Sequence, residues 1–135
     1  MKVVFYNIRK SADKLSRLVK CAKEHFESQK ALLFLVPDKK SELFLDQLLW
    51  QNAAFLPHAA AEEASSELLV ISQKKELLHL AKHIFNLTFE PLSVNEKEVQ
   101  VIYEFDDGSD LKKKQLSKKK FIFYHQLKIP IEAKS

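Results

Sequence analysis

A chain of 135 residues with 46% apolar and 30% charged content has the make-up of one folded domain, residues 1–135, able to bury roughly two-thirds of its unfolded surface. No apolar run reaches the ~18 residues of a membrane span, and Met1 to Asn7 is too short and too soon charged for a signal peptide. One cysteine, Cys21, excludes an internal disulfide or a thiolate metal cluster, so a reducing, cytoplasmic location is expected.

Val3 to Tyr6 reads as a first strand. Ser11 suits an N-cap and Asp13 suits the helix dipole behind it. Leu15, Leu18, Val19, Ala22 and Phe26 then recur at steps of three and four, the stripe of a helix running to about Gln29. Ala31 to Val36 is apolar without alternation, as in a parallel strand covered on both faces. Pro37-Asp38 ends it, and a second helix runs from Asp38 to Trp50. This β-α-β-α opening predicts an α/β fold: a mostly parallel, Rossmann-like sheet with helices on both faces.

Ala59 to Ala64 is compositionally simple, a loose loop or a helical turn. Glu67 to Ser72 reads as a third strand, Lys74 to Lys82 as helical, and Ile84 to Phe89 as another strand. Val99, Val101, Tyr103 and Phe105 alternate with Gln100 and Glu104, a half-buried strand closed by the Asp106-Asp107-Gly108-Ser109 turn. Phe121, Phe123, Leu127, Ile129 and Ile131 all fall on odd positions, which suits one long strand. The charge density of Lys112 to Lys120 favours a helix instead.

Gly108 is the only glycine. Phosphate-binding loops need glycines to turn tightly and bring backbone amides against the anion, so a nucleotide-like fold is expected here without a nucleotide site. His79 and His83 stand four residues apart but lack an acidic third ligand, so they read as a surface pair, and no metal is expected. Cys21 lies among apolar neighbours and reads as packing. The scattered carboxylates form no acid/base pair. No catalytic residue and no cofactor are expected.

Two surfaces remain. Leu45-Asp46-Gln47-Leu48-Leu49-Trp50 ends a helix on the only tryptophan, and Phe55-Leu56-Pro57-His58 follows where a connector is ordinarily polar. The other is Lys112 to Lys120, which holds six lysines and no acid; taking those six from the net charge of +4 leaves the rest of the chain at −2. Positive charge confined to one segment points to an anionic partner.

An L-D-x-x-L-W helix end followed by F-[LV]-P-H resembles the chi accessory subunit of bacterial DNA polymerase III. The resemblance implies a non-catalytic adaptor that links the clamp loader to single-stranded DNA-binding protein during DNA replication. It implies that Trp50, Phe55, Pro57 and His58 meet the psi subunit. It also implies a lysine-rich helix ending near Tyr124, a terminal strand from Leu127, and an acidic tail held by Lys114, Lys118, Lys120, Phe121 and Tyr124. In that stretch Lys118 and Lys120 stand where the family has arginines, Phe121 replaces tyrosine, Ile122 replaces lysine and His125 replaces arginine. The glycine usual after it is missing. Lysine lacks the fork that grips a carboxylate with two hydrogen bonds, so the alternative reading is a basic domain that binds single-stranded nucleic acid directly.

Overall fold

The computed structural model describes residues 1–51, 58–60 and 67–135. In chain order the elements are β1 (Lys2–Ile8), α1 (Ser11–Glu27), β2 (Leu32–Leu35), α2 (Lys39–Gln51), β3 (Ala59–Ala60), β4 (Leu69–Ser72), a 3-10 turn (Lys75–Leu80), β5 (His83–Asn86), β6 (Val101–Asp107), α3 (Leu111–Gln126) and β7 (Ile131–Lys134). The strands form one seven-stranded sheet in the order β3-β4-β2-β5-β6-β1-β7. Every neighbouring pair is parallel. No helix of the described residues is long and apolar enough to cross a membrane.

A parallel sheet must be covered on both faces, and side chains that alternate along each strand supply two cores. Val4, Tyr6, Phe34, Phe85 and Ile71 pack beneath Leu18, Cys21 and Ala22 of α1 and Leu45 and Leu49 of α2. Val3, Phe5, Leu35, Ile84 and Ile102 point the other way, with Tyr124 of α3, Leu92, Val99 and Ile129. The α/β expectation is thereby met, with α1 and α2 on one face and α3 on the other.

Under α1 the rings form a row across four strands. Phe34 stacks on Phe85 at 5.9 Å, Phe85 meets Tyr103 at 5.6 Å, and Tyr103 stacks on Tyr6 at 5.9 Å. The register pairs Phe34 with Phe85 and Phe85 with Tyr103, so the row follows from strand alignment. Such pairs contribute about 0.5–1.5 kcal/mol each beyond simple burial. His25 closes the row: its Nε2 accepts from the Tyr103 hydroxyl at 2.8 Å while Nδ1–H donates to the Lys30 carbonyl at 3.0 Å. Burial holds its pKa below the ordinary imidazole range, which favours the neutral ring these bonds require.

Several boundaries differ from the sequence reading. Lys10, not Ser11, is the N-cap of α1, and no side chain caps that end. Asp38 caps α2, accepting from the Ser41 amide at 2.7 Å, and the helix starts at Lys39. Ala59 and Ala60 are neither loop nor helix but an edge strand beside Val70 and Ile71. The strand expected to reach Phe89 stops at Asn86, whose side chain takes up the following turn. The lysine segment is a helix, as its charge density favoured, and not the end of a long strand. His83 lies on β5 with its ring 5.0 Å from His25, so its aromatic neighbour comes from α1; the His79 side chain lies outside the described residues.

A chain with one glycine must end its helices without that residue. Gln29 and Lys128, two residues beyond α1 and α3, take left-handed φ values of 54° and 58°. A side chain in that region costs ~1–2 kcal/mol relative to glycine, partly offset by the ~0.5–1 kcal/mol that glycine loses in ordering. Lys128→Gly is therefore expected to raise folding stability by about 0.5–1 kcal/mol, measured by urea denaturation; unchanged or lower stability would count against strain at this helix end.

Candidate partner interfaces

The end of α2 holds a small polar and aromatic cluster. His58 is buried, and its Nε2–H donates to Asp46 Oδ1 at 2.8 Å. The Trp50 indole lies against the imidazole, ring centres 4.5 Å apart, and remains half exposed. Asp46 and Trp50 fall four residues apart on α2, so both reach His58 from one side. The expected psi-side residues Trp50 and His58 thus come together. Phe55 and Pro57, expected beside them, lie outside the described residues.

On α3 the expected tail-binding residues divide. Lys114, Lys118 and Phe121 follow at steps of four and three along one exposed side of the helix. The Phe121 ring is 44% exposed, stacks on His125 at 5.9 Å and rests against Phe5. Lys120 and Tyr124 turn the opposite way, into the protein. Their expected place on the binding surface is corrected: Tyr124 is fully buried and Lys120 nearly so.

What holds them is Glu104, placed on β6 with no solvent exposure. Lys120 Nζ donates to Glu104 Oε1 at 2.9 Å and to the Thr88 carbonyl at 2.7 Å. The Tyr124 hydroxyl donates to Glu104 Oε2 at 2.6 Å and accepts from the Leu92 amide at 2.9 Å. Asn86 Nδ2 donates to the same Oε2 at 2.7 Å and to the Glu90 carbonyl at 2.8 Å. Burial pushes the Glu104 carboxyl pKa up, while the Lys120 ammonium and the hydrogen bonds from Tyr124, Asn86 and Lys120 pull it back. Among the described residues no buried side-chain polar atom lacks a partner. Alternation along β6 alone would have put Glu104 in solvent; the one signal for its burial was a lysine and a tyrosine four residues apart on a helix still to be placed.

A cleft of about 580 Å³ opens at the carboxyl ends of β2, β5 and β6. Sequence reasoning missed its exposed residues Lys40, Phe44 and Phe89, because their proximity arises only when α2 and the segment after β5 meet.

With this geometry in place, comparison with known families shows that a family model for the DNA polymerase III chi subunit, HolC, covers residues 1–132. The chain belongs to that family. No curated protein matches it. Chi membership makes this a replication accessory subunit of DNA polymerase III, and the match spans both the α2 cluster and α3. Within a chi fold, Lys120 and Tyr124 are positioning residues that fix α3 against β6.

Removing one partner of a buried ion pair costs about 3–5 kcal/mol, because the other charge is left uncompensated. Lys120→Met should lose that much in urea denaturation, and adding Glu104→Gln should restore part of it. Without the ammonium, the folded-state pKa of Glu104 rises further above its unfolded value. Stability then falls as pH rises through that interval, so the Lys120→Met deficit should be larger at pH ~8 than at pH ~5. A deficit independent of pH would mean Glu104 is not the group whose charge loses its compensation.

Proposed function

We propose that this chi-family chain is a non-catalytic adaptor in DNA polymerase III. One surface, Trp50, Phe55, Pro57 and His58, engages a psi-like component of the clamp loader. The other, Lys114, Lys118 and Phe121, takes the acidic C-terminal tail of single-stranded DNA-binding protein. The observation that carries this reading is the exposed side of α3, where two ammonium groups precede a half-exposed aromatic ring. Ammonium groups suit the carboxylates of an acidic tail, and the ring suits an apolar terminal side chain.

The two surfaces belong to helices on opposite faces of the sheet, so one chain can hold both partners at once. Tethering of that kind raises the local concentration of one partner around the other without any chemical step. Trp50 has the character of a binding anchor: it is large, half exposed and braced by His58.

A synthetic acidic peptide ending in Pro-Phe should bind in the micromolar range, about −8 kcal/mol, by isothermal titration calorimetry. Deleting its terminal Phe should nearly abolish binding, because the contribution of the ring goes with it. Lys118→Glu should weaken binding while shifting stability by no more than ~0.5 kcal/mol, as expected of an exposed position. Equal binding of the peptide with and without its terminal Phe would sink the tail assignment. On the other surface, Trp50→Ala or Phe55→Ala should abolish clamp-loader capture in a pull-down, at a cost of ~2 kcal/mol or more in binding. Undiminished capture by both variants would remove that interface.

A further inference from the structure

The cleft at the carboxyl ends of β2, β5 and β6 lies between α2 and α3, outside both surfaces of the adaptor reading. In open α/β sheets this end is where ligands bind. Its volume, about 580 Å³, is that of a ligand site. Four lysines line it, Lys14, Lys40, Lys113 and Lys120, against Asp107 as the single acidic residue. Lys14 is held by Asp107 and Lys120 by Glu104. Lys40 is exposed, and Lys113 is only loosely drawn to Asp110, at 3.8 Å, so these two cations are open to an incoming anion. Three phenylalanines complete the lining: Phe105 is half-buried, while Phe44 is 54% exposed and Phe89 is 61% exposed, both far more open than rings that merely finish a core.

Lys112, Lys113 and Lys114 occupy the first turn of α3, where the helix dipole is already positive; the N-cap Asp110, which accepts from the Lys113 amide at 2.8 Å, offsets part of that charge. Exposed Lys118 and Lys119 of α3 are not part of the cleft lining. Among the described residues no arginine lines the cleft, so its cations act as point charges, which suit phosphate better than they suit two-pronged carboxylate capture. The chain has no glycine loop to cradle a terminal phosphate. A ligand whose charges are spread along a backbone fits the lysine track; one with its charge concentrated at one end does not.

We propose that this cleft binds single-stranded DNA, with a base stacking on Phe44 or Phe89 and the phosphodiester following Lys40 and Lys113. Stacking platforms combined with a cationic track are how single strands are held without sequence preference. Such binding lets chi touch the strand directly as well as through a protein coat.

The test is fluorescence anisotropy of the full chain with a labelled oligothymidylate of about 12 nucleotides, against an abasic phosphodiester of equal length. Phe44→Ala/Phe89→Ala should weaken oligothymidylate binding about 10-fold, the effect expected from losing one stacked base. Leu43→Ala, exposed on α2 but outside the cleft, should change nothing. The abasic strand should bind more weakly from the start and be blind to the Phe44/Phe89 pair. Lys40→Glu/Lys113→Glu should flatten the slope of log affinity against log salt by about 0.7 for each phosphate no longer neutralised. Thermal melting checks that each variant folds; should the phenylalanine pair fail to fold, the abasic comparison and the lysine pair decide. Equal affinity for both strands would mean charge attraction alone and overturn the proposal, as would no binding of oligothymidylate. If the Pro-Phe acidic peptide loses affinity in the Phe44/Phe89 variant while DNA does not, the cleft belongs to the peptide and the proposal fails. Loss of DNA binding with peptide binding intact supports it and leaves the adaptor reading untouched.

Discussion

A carboxylate with no access to water, Glu104 at the centre of β6, is the constraint that sets which side of α3 faces outward and which faces the cleft. Burying that charge without partners would cost several kcal/mol, so the fold must bring donors to it. They come from two directions: Lys120 and Tyr124 from α3, and Asn86 from the end of β5. Lys120 and Tyr124 are four residues apart, so satisfying Glu104 sets the rotation of α3 about its axis. With that rotation fixed, Lys114, Lys118 and Phe121 face outward and Lys113 faces the cleft. The same network fastens the segment after β5, because Lys120 also holds the Thr88 carbonyl and Tyr124 the Leu92 amide. Phe89 is carried on that fastened segment. A buried ion pair of this kind contributes little net stability compared with an apolar replacement, so its value here lies in registry.

Aromatic residues serve the molecule in two ways. Phe34, Phe85, Tyr103 and Tyr6 form the row beneath α1, joining four strands on one face. Phe44, Trp50, Phe89 and Phe121 stay at least 44% exposed. A small domain cannot hide all its apolar surface, and isolated exposed rings are ordinary. These are set beside something else: Trp50 on an imidazole, Phe121 next to exposed lysine, Phe44 and Phe89 in a cationic cleft. Cys21, by contrast, is fully inside, and burial pushes its thiol pKa up to about 12, so it is packing and not a nucleophile.

Near-absence of glycine also shapes the chain. Gly108 follows β6, its amide donating to the Ile8 carbonyl at 2.7 Å, and does not use a left-handed conformation. An added Cβ there would meet that carbonyl at 3.4 Å, ordinary contact, so close approach explains little of the choice. The left-handed positions go to Gln29 and Lys128. At Lys128, beyond α3, this chain accepts backbone strain in place of a freer residue.

By itself, the sequence determined what depends on local pattern. Apolar runs and three-to-four spacing marked the strands, the helices and the parallel sheet, because hydrophobic period follows directly from backbone geometry. The Leu45 to His58 motif pointed to the family, since that combination of residue types is specific. Segment charge set the expectation of an anionic partner. The tertiary structure decided which side of α3 faces out. The lysines there are too evenly spread to mark a face, and the buried partner that selects one, Glu104, sits on a strand whose alternation alone would expose it. Packing separated Lys114, Lys118 and Phe121 from Lys120 and Tyr124, which similar residue types had made indistinguishable. It also joined Lys40, Phe44, Phe89 and Lys113 around one cleft. Those residues come from three separate stretches of the chain, and only packing of both helices onto the ends of the strands makes them neighbours.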